Sequence, residues 1–325
     1  MKIALTGAAG HLGSAIIPEL FKRGYHVRAL VRDNNHSFTQ LPVAFIKGDV
    51  LNVDSIRGLL QDCDAMIHCA AVISVNGDPR GIVHRTNVEG TKLVMEMAKQ
   101  AGVKRVIHIS SIHAYEQRPS FKVLNEQSEK VEKGFAYDHS KKAGQEIALA
   151  MNGNGMDVLV MNPTSIVGPY DFKPSKVGKV IIDLYRGYLP FVFDGGFDFC
   201  DCRDVAHAIA NALTMGRPGE NYLLAGKWYS FKEFASFISK ASGKKIKPVA
   251  LSPFIGKLGL PIIRSVAWLK RKEPVYTHEG LEAIVSGNQR ISSNKAIQEL
   301  HYSIRPFDET IADAVNWFRQ NGYLV

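Results

Sequence analysis

The chain has 325 residues, of which 46% are hydrophobic and 22% are charged, a balance that excludes extensive disorder. Lysine and arginine outnumber aspartate and glutamate by 40 to 31, which gives a formal net charge of +9. Because the basic residues are scattered and not interleaved with aromatics, we predict no nucleic-acid partner. We assign the charge to attraction of an anionic small molecule.

The cysteines lack the paired Cys-x-x-Cys spacing of a structural zinc site, and we predict no metal. We interpret all four as small apolar side chains: Cys63, Cys69, Cys200 and Cys202. So few cysteines in a long chain are typical of a reducing compartment, and we therefore expect a cytoplasmic protein.

Short apolar runs alternate with helical periodicity through the first half of the chain. The predicted strands are 2–6, 26–31, 43–48, 65–70, 105–110 and 157–162. The predicted helices between them are 11–24, 53–61, 80–101 and 135–151. Repeated strand–helix–strand units predict an α/β fold, a doubly wound parallel sheet with helices on both faces.

After Pro163 the periodicity loosens. Predicted helices, separated by short strands and turns, lie near 175–186, 203–215, 230–242 and 307–321. We predict a first domain over 1–165, with elements that return to it near 200–225. Residues 166–325 then form a smaller C-terminal α/β region.

The most apolar stretch of the chain is 249–269. Lys257, Arg264 and two prolines interrupt it, so we predict no membrane span. The pattern is typical of a partly amphipathic helix that covers a pocket or lies on a membrane surface. The cluster Lys270-Arg271-Lys272 follows it.

The sequence TGAAGHLG joins the first strand to the first helix, with Gly7, Gly10 and Gly13 three residues apart. The first glycine permits a tight turn, the second a close backbone approach to a pyrophosphate, and the third helix–sheet packing. Anionic phosphates would then lie at the helix N-terminus. This pattern predicts a dinucleotide site formed by Thr6, Gly7, Ala9, Gly10, His11, Leu12 and Gly13.

The end of the second strand selects the dinucleotide, because an acidic residue there favours NAD and an arginine favours NADP. The strand ends ALVRDN, so Arg32 takes this place and Asp33 follows it. We predict NADPH over NADH, since a guanidinium group can bind the additional phosphate. NADH stays the alternative because of the neighbouring carboxylate of Asp33.

Two later strand ends are also expected to line the cofactor. In KGDV, Asp49 can accept a hydrogen bond from the adenine amino group, and Val50 follows it. In HCAAV, Ala70 and Ala71 are small residues where the backbone runs close to a ribose.

A serine pair and a helical Tyr-x-x-x-Lys complete the pattern. The fifth strand ends ISSIHAY, and the following helix carries YDHSK, with Tyr137 and Lys141 on one face. Together with TGAAGHLG, GDV, HCAA, TNVEGT, NPTSIVGP and CRDVA, these residues resemble the extended short-chain dehydrogenase/reductase superfamily along nearly the whole chain.

Within this superfamily, the chain is most similar to the dihydroflavonol-reductase-like and hydroxysteroid-dehydrogenase-like branch, through the stretches VRALVRD and YSIRPFDETIADAVNWF. Nucleoside-diphosphate-sugar epimerases are close relatives of this branch. The resemblance implies a Rossmann fold, a dinucleotide-binding first domain and a mainly substrate-binding second region. It also implies a homodimer formed through helices 80–101 and 135–151.

Carried over to this chain, the resemblance makes Tyr137 the acid/base and Lys141 its electrostatic partner. Ser111 becomes the substrate-binding hydroxyl, with Ser110 as the alternative. We expect Lys141 to lower the pKa of Tyr137, which is ordinarily too high for proton exchange near neutral pH. Asn87 and Pro163 are further candidates on the cofactor side.

The leading hypothesis is an NADPH-dependent reductase of a ketone or aldehyde in a mid-sized, largely apolar molecule. We predict that aromatic side chains line its substrate pocket: Tyr115, Phe121, Tyr170, Phe172, Tyr188, Phe193, Phe199 and Trp228. The alternative is an NAD-dependent nucleotide-sugar epimerase or dehydratase, with cations for a diphosphate: Lys173, Lys176, Lys179 and Arg186. A non-catalytic dinucleotide sensor is disfavoured, because both Tyr137 and Lys141 are present.

Overall fold

The computed structural model of the chain describes residues 1–33, 41–256 and 277–324. Most of the apolar stretch 249–269 and the cluster Lys270-Arg271-Lys272 lie outside the described residues. Among the described helices, none is both long enough and apolar enough to cross a bilayer.

The strands in chain order are β1 (Lys2–Thr6), β2 (His26–Val31), β3 (Val43–Lys47), β4 (Ala65–His68), β5 (Arg105–Ile109), β6 (Asp157–Pro163), β7 (Ser165–Val167), β8 (Phe191–Phe193), β9 (Gly196–Asp201), β10 (Asn221–Leu224), β11 (Lys227–Ser230) and β12 (Val249–Leu251). The longer helices are α1 (His11–Lys22), α2 (Val53–Leu60), α3 (Gly90–Gln100), α4 (Ala136–Ala150), α5 (Lys176–Arg186), α6 (Cys202–Ala212), α7 (Phe231–Ser242), α8 (His278–Ser286), α9 (Asn294–Leu300) and α10 (Phe307–Gln320).

The central sheet has the strand order β10–β6–β5–β4–β1–β2–β3, and all of its neighbouring strands are parallel. This confirms the predicted doubly wound α/β fold. The order reverses between β1 and β4, whose carboxyl ends meet at Thr6 and His68. A ligand crevice is expected at such a reversal, because the chain leaves the two strands in opposite directions.

Each face of the sheet carries its own hydrophobic core. Strand β1 sends Ile3 and Leu5 into the core beneath α1 and α6, and Ala4 into the core beneath α2 and α3. This alternation follows from the strand's period of two residues. Helices on both faces therefore fix the sheet rigidly below the crevice.

The chain returns to the first domain after β9. Strand β10 pairs with β6 at the sheet edge, and α6 packs against α1. Arg203 and Asp204 hold this helix in place through ion pairs with the C-terminal part of the chain. Arg203 binds Asp313 at 2.6 Å, and Arg305 binds Asp204 at 2.7 Å. The division at residue 165 stays a prediction.

The C-terminal region has a core of its own. Strands β7, β9 and β11 form a small sheet, β8 and β12 form a parallel pair, and α5, α7 and α10 pack around them. Phe199 and Phe234 stack at 4.8 Å in this core, and Phe307 packs beside Phe199 at 5.5 Å.

The predicted helix 80–101 is interrupted near its start. A 3-10 turn over Pro79–Gly81 leads into Ile82–His84, a π-helical turn over Arg85–Glu89, and then α3. A π-turn changes the direction of one side chain in an otherwise regular helix, and such turns are frequent at functional sites. Here the turn carries Asn87.

We expect Phe234→Ala to lower the free energy of unfolding by about 3–5 kcal/mol, because truncation of a buried aromatic leaves a cavity. Phe234 is 0% exposed, whereas Phe121 is 71% exposed. Urea denaturation followed by tryptophan fluorescence measures the change, with Phe121→Ala as the control that leaves stability nearly unaltered. Equal losses in the two variants would contradict the placement of Phe234 in a core.

Candidate active site

The glycine loop lies tightly against the loop that follows β4. Gly7 has a φ of +71°, and a Cβ there would come within 2.6 Å of the Cys69 carbonyl carbon. A Cβ on Gly13 would overlap the Gly7 carbonyl oxygen. Both positions therefore require glycine, as the predicted roles demand.

The N-terminus of α1 is suited to an anion. Gly10 is its N-cap without any side-chain cap, and the first turn holds no acidic residue. The first N–H groups and the positive end of the helix dipole are thus left for a ligand. Ala9 and Gly10 are exposed at the loop tip, while Leu12 is buried and can offer only its backbone. The His11 ring lies 2.9 Å from the Pro169 carbonyl oxygen.

Thr6 supports the glycine loop from beneath. Its buried hydroxyl accepts hydrogen bonds from the backbone N–H groups of Cys69 and Ala70, both at 3.2 Å. It also lies 2.7 Å from Nδ1 of His68. The Thr6 hydroxyl is therefore engaged within the protein, where it holds the loop after β4 against the glycine loop. A contact between Thr6 and a cofactor stays a prediction.

The end of β2 is open to solvent. Arg32 and Asp33 are both exposed, and Asp33 lies 3.7 Å from Lys173 Nζ. Within the described residues no carboxylate pairs with Arg32, so its guanidinium group is available for a phosphate.

The two later strand ends also reach the crevice side of the sheet. Asp49 accepts a hydrogen bond from the backbone N–H of Leu51 at 2.9 Å, and Val50 is buried next to Gly90. Ala70 is half-buried and Ala71 exposed, as expected where backbone must approach a ligand.

Ser111, and not Ser110, lies beside the phenol of Tyr137. The Ser111 hydroxyl lowers the pKa of Tyr137, and it also accepts from the His113 N–H at 3.2 Å. The Ser110 hydroxyl instead donates to the Lys141 carbonyl oxygen at 3.4 Å. Tyr137 is 9% exposed. Its helix and the turn after β5 thus bring together the hydroxyls that the sequence singled out.

The pKa of Tyr137 is not lowered as we expected. Burial raises it to about 12, Asp138 adds to the rise, and Ser111 opposes it. Lys141 does not act on the phenol here, because its ammonium group donates to the Ile109 carbonyl oxygen at 2.9 Å. Burial lowers the pKa of Lys141 to about 8. Both side chains are therefore held in a dry environment that favours their neutral forms.

Asn87 positions the catalytic helix. Its side chain donates to the Val72 carbonyl and to the Ser140 hydroxyl, both at 2.9 Å, and accepts from the Val72 N–H at 2.7 Å. Ser140 in turn donates to the Tyr137 carbonyl at 2.7 Å. Both N–H groups of the carboxamide are thus used within the protein, and Asn87 joins the loop after β4 to the helix of Tyr137. Its place on the cofactor side stays a prediction.

The backbone of Ser111 is held from the sheet side. Asn162 donates to the Ser111 carbonyl at 3.0 Å and to the Gln145 side chain at 2.7 Å. Pro163 ends β6 directly after this asparagine and is buried. These contacts place the serine on a rigid support.

Sequence reasoning did not identify the pair His113 and Asp138. His113 Nδ1 lies 2.7 Å from Asp138, and its ring meets that of Tyr137 edge-on at 5.4 Å. Asp138 also accepts from the Phe135 N–H at 2.8 Å. An acidic residue in the first turn of a helix is a capping signal, and it was the available clue.

Several aromatic residues that we predicted to line the substrate pocket lie elsewhere in the structure. Phe199 stacks inside the C-terminal core, Phe172 packs edge-on against Trp317 at 5.0 Å, and Tyr115 is buried with Lys130 Nζ 3.2 Å from its ring centre. Phe121 and Tyr188 are largely exposed. Composition cannot separate a pocket aromatic from a core one, because both are apolar and both are buried.

The residues present fit a dinucleotide. Gly7 and Gly13 leave no space for a side chain, the α1 N-terminus offers free N–H groups, and Arg32 lies at the end of β2. The Ser111–Tyr137–Lys141 group lies at the carboxyl end of β5 and on α4, on the crevice side of the sheet.

The profile of the NAD dependent epimerase/dehydratase family matches residues 3–225. Sterol demethylase protein B of Methylococcus capsulatus is 31% identical over 331 residues, covering 100% of both chains. A putative dihydroflavonol 4-reductase of Synechocystis is 29% identical over 335 residues, covering 98% of this chain and 95% of the relative.

Solved structures show the same architecture. The crystal structure of gox2253 superimposes with a TM-score of 0.84 at 31% identity, covering 100% of this chain and 99% of that one. UDP-glucuronic acid 4-epimerase from Bacillus cereus in complex with NAD gives a TM-score of 0.78 at 21% identity, covering 98% and 97%, and shares the fold.

We expect Lys141→Met to stabilise the protein at pH 7. The fall in the pKa of Lys141 from 10.5 to about 8 corresponds to a burial cost of roughly 3 kcal/mol, at about 1.4 kcal/mol per pKa unit. Because the pKa is lower in the folded than in the unfolded protein, this cost is fully present below pH 8. It disappears as the pH rises from about 8 toward 10.5.

Urea denaturation at several pH values tests this expectation, with the exposed Lys99→Met as the matched control. The gain in stability of Lys141→Met over wild type should shrink as the pH rises above 8. A variant less stable than wild type at pH 7 would contradict the account of Lys141 as a buried cation.

Proposed function

The chain belongs to the NAD dependent epimerase/dehydratase family, and from that premise we propose that it is an NADPH-dependent oxidoreductase. It reduces a ketone or aldehyde of a mid-sized, largely apolar substrate. The observation that carries the proposal is the buried Tyr137 phenol, which has Ser111 beside it and Lys141 one helical turn away. A reductase needs a proton donor of this kind beside the carbonyl oxygen.

When bound, the reduced nicotinamide supplies the hydride to the carbonyl carbon. Tyr137 supplies the proton that the developing alkoxide takes up. A pKa of about 12 keeps the phenol protonated at neutral pH, which is the form that reduction requires. Ser111 donates a hydrogen bond toward the same oxygen. Lys141 keeps its ammonium group on the Ile109 carbonyl, one helical turn from the phenol.

Two of the four cations predicted for a nucleotide diphosphate are engaged by other groups. Lys173 lies 3.7 Å from Asp33, and Arg186 donates to the Tyr323 carbonyl at 2.9 Å. This arrangement favours an apolar substrate over a nucleotide sugar. The names of two relatives, a sterol demethylase protein and a dihydroflavonol reductase, point to fused-ring apolar substrates.

The alternative is an epimerase or dehydratase that retains NAD and returns the hydride to its substrate. Asp33 beside Arg32 favours it, because a carboxylate at this position can accept the ribose hydroxyls of NAD. Cofactor released from purified protein by denaturation separates the two. Bound NAD without net turnover supports the alternative, and NADPH oxidation with a carbonyl panel supports the reductase.

The homodimer through helices 80–101 and 135–151 and the cytoplasmic location stay predictions. Light scattering of the purified protein tests the first of these, and cell fractionation tests the second.

We expect Tyr137→Phe to lower turnover by about 100-fold or more while NADPH affinity changes by less than about twofold, because only the proton donor is removed. NADPH oxidation with a carbonyl panel and NADPH fluorescence titration measure the two quantities. Tyr188→Phe, at an exposed tyrosine, is the matched control. Undiminished turnover in Tyr137→Phe would remove this residue from the mechanism.

We expect Arg32→Gln to weaken NADPH binding by about tenfold or more, since a hydrogen bond to a charged group contributes about 1.5–3 kcal/mol. NADH affinity should remain close to that of wild type, because NADH lacks the additional phosphate. Fluorescence titration with both dinucleotides measures the ratio, and the exposed Lys22→Gln controls for net charge. An unchanged ratio would show that Arg32 does not select the cofactor.

A further inference from the structure

The C-terminal region exposes a group of apolar side chains that the proposed reaction does not use. They lie on the segment before β8, on β8 and β12, and on the helical residues 253–256. The exposed fractions are large for such side chains: Tyr188 69%, Phe191 49%, Val249 56%, Phe254 68% and Ile255 53%. Exposed apolar groups of this kind mark interaction sites more often than isolated residues do. We call this group the β8–β12 patch.

The members of the patch are neighbours in the fold. Phe191 is paired with Val249 in the parallel register, and the Val249 N–H donates to the Pro190 carbonyl at 2.9 Å. Residues 253–256 pack on the end of the same strand, because a Cβ at Gly256 would lie 2.5 Å from the Phe193 ring. Phe191 and Val249 therefore lie side by side on the two strands, while Tyr188 precedes β8 and Phe254 and Ile255 follow β12 in the chain.

The surroundings of the patch are basic. The segments 186–191 and 243–256 contain no acidic residue, and they contain four cations: Arg186, Lys244, Lys245 and Lys247. All four are exposed. Asp183 and Asp194 flank the first segment at either end, so the positive charge is concentrated beside the apolar side chains.

We propose that the β8–β12 patch docks the protein on the surface of an anionic phospholipid bilayer. Exposed aromatic and aliphatic side chains enter the headgroup region, while adjacent lysines are attracted to negatively charged lipids. A second copy of the chain fits the patch less well. A symmetric contact would place the same four cations of each copy opposite one another. This inference does not depend on the proposed function.

Sedimentation with vesicles tests the proposal on the full-length protein. We expect binding to vesicles of phosphatidylcholine with about 30 mol% phosphatidylserine, and much weaker binding to phosphatidylcholine alone or at about 0.5 M salt. Lys245→Gln/Lys247→Gln should weaken binding by about 25-fold, at roughly fivefold for each basic residue. Tyr188→Ser/Phe254→Ser should weaken binding by about 100-fold, at roughly tenfold for each aromatic side chain that enters the headgroup region.

Matched controls carry the same changes on other surfaces. Lys22→Gln/Lys99→Gln removes two exposed lysines from α1 and α3, and Phe121→Ser removes an exposed aromatic. Both controls should bind as wild type does. Absence of vesicle binding by wild type, or equal losses in patch and control variants, would overturn the proposal. Light scattering that shows a dimer lost only in Tyr188→Ser/Phe254→Ser, without vesicle binding, would assign the patch to a second copy.

Discussion

Burial of two ionisable side chains on one helix is the constraint on which the site depends. Tyr137 and Lys141 lie one turn apart on α4, and both are almost completely removed from water. Burial disfavours the charged form of each, so the pKa of the phenol rises while that of the amine falls. In the free protein the proton therefore stays on Tyr137. Ionisation of the phenol therefore requires a compensating positive charge beside it, which the protein interior lacks. The oxidised nicotinamide of a bound cofactor carries such a charge.

A set of polar contacts around this pair holds the neighbouring loop and helix in place. Asn87, which lies on the π-turn, fixes the loop after β4 and the helix of Tyr137 through Val72 and Ser140. On the other side of the crevice, Thr6 fixes the same loop against the glycine turn. The cofactor wall and the catalytic helix thus share one set of hydrogen bonds. Since buried hydrogen bonds are short-ranged and directional, small shifts in this set would misplace Tyr137 relative to a bound dinucleotide.

The first half of the fold could be predicted because hydrophobic periodicity and turn residues point to one arrangement there. The strands from β1 to β6 and the glycine loop followed from such patterns. Strands β7, β8 and β12 have only three residues each and carry no periodic signal. The pKa of Tyr137 was predicted in the wrong direction, because sequence spacing shows that Lys141 is near but not that its amine is bound to the Ile109 carbonyl. Likewise, Phe199 and Phe172 were assigned to a pocket because composition does not reveal which face of a sheet or helix is covered.

Burial keeps the Tyr137 phenol protonated in the free protein, and a bound oxidised cofactor should lower its pKa toward the ordinary value. Tyrosine labelled with 13C at Cζ reports ionisation directly by NMR, and Tyr137→Phe assigns the resonance. In the free protein the Tyr137 signal should stay that of the neutral phenol up to about pH 11, because burial raises its pKa to about 12. With the oxidised dinucleotide bound, ionisation should occur at a pH lower by about two, owing to the positive charge of the nicotinamide. Ionisation of the free protein below about pH 10, or a titration that the cofactor leaves unchanged, would contradict the account.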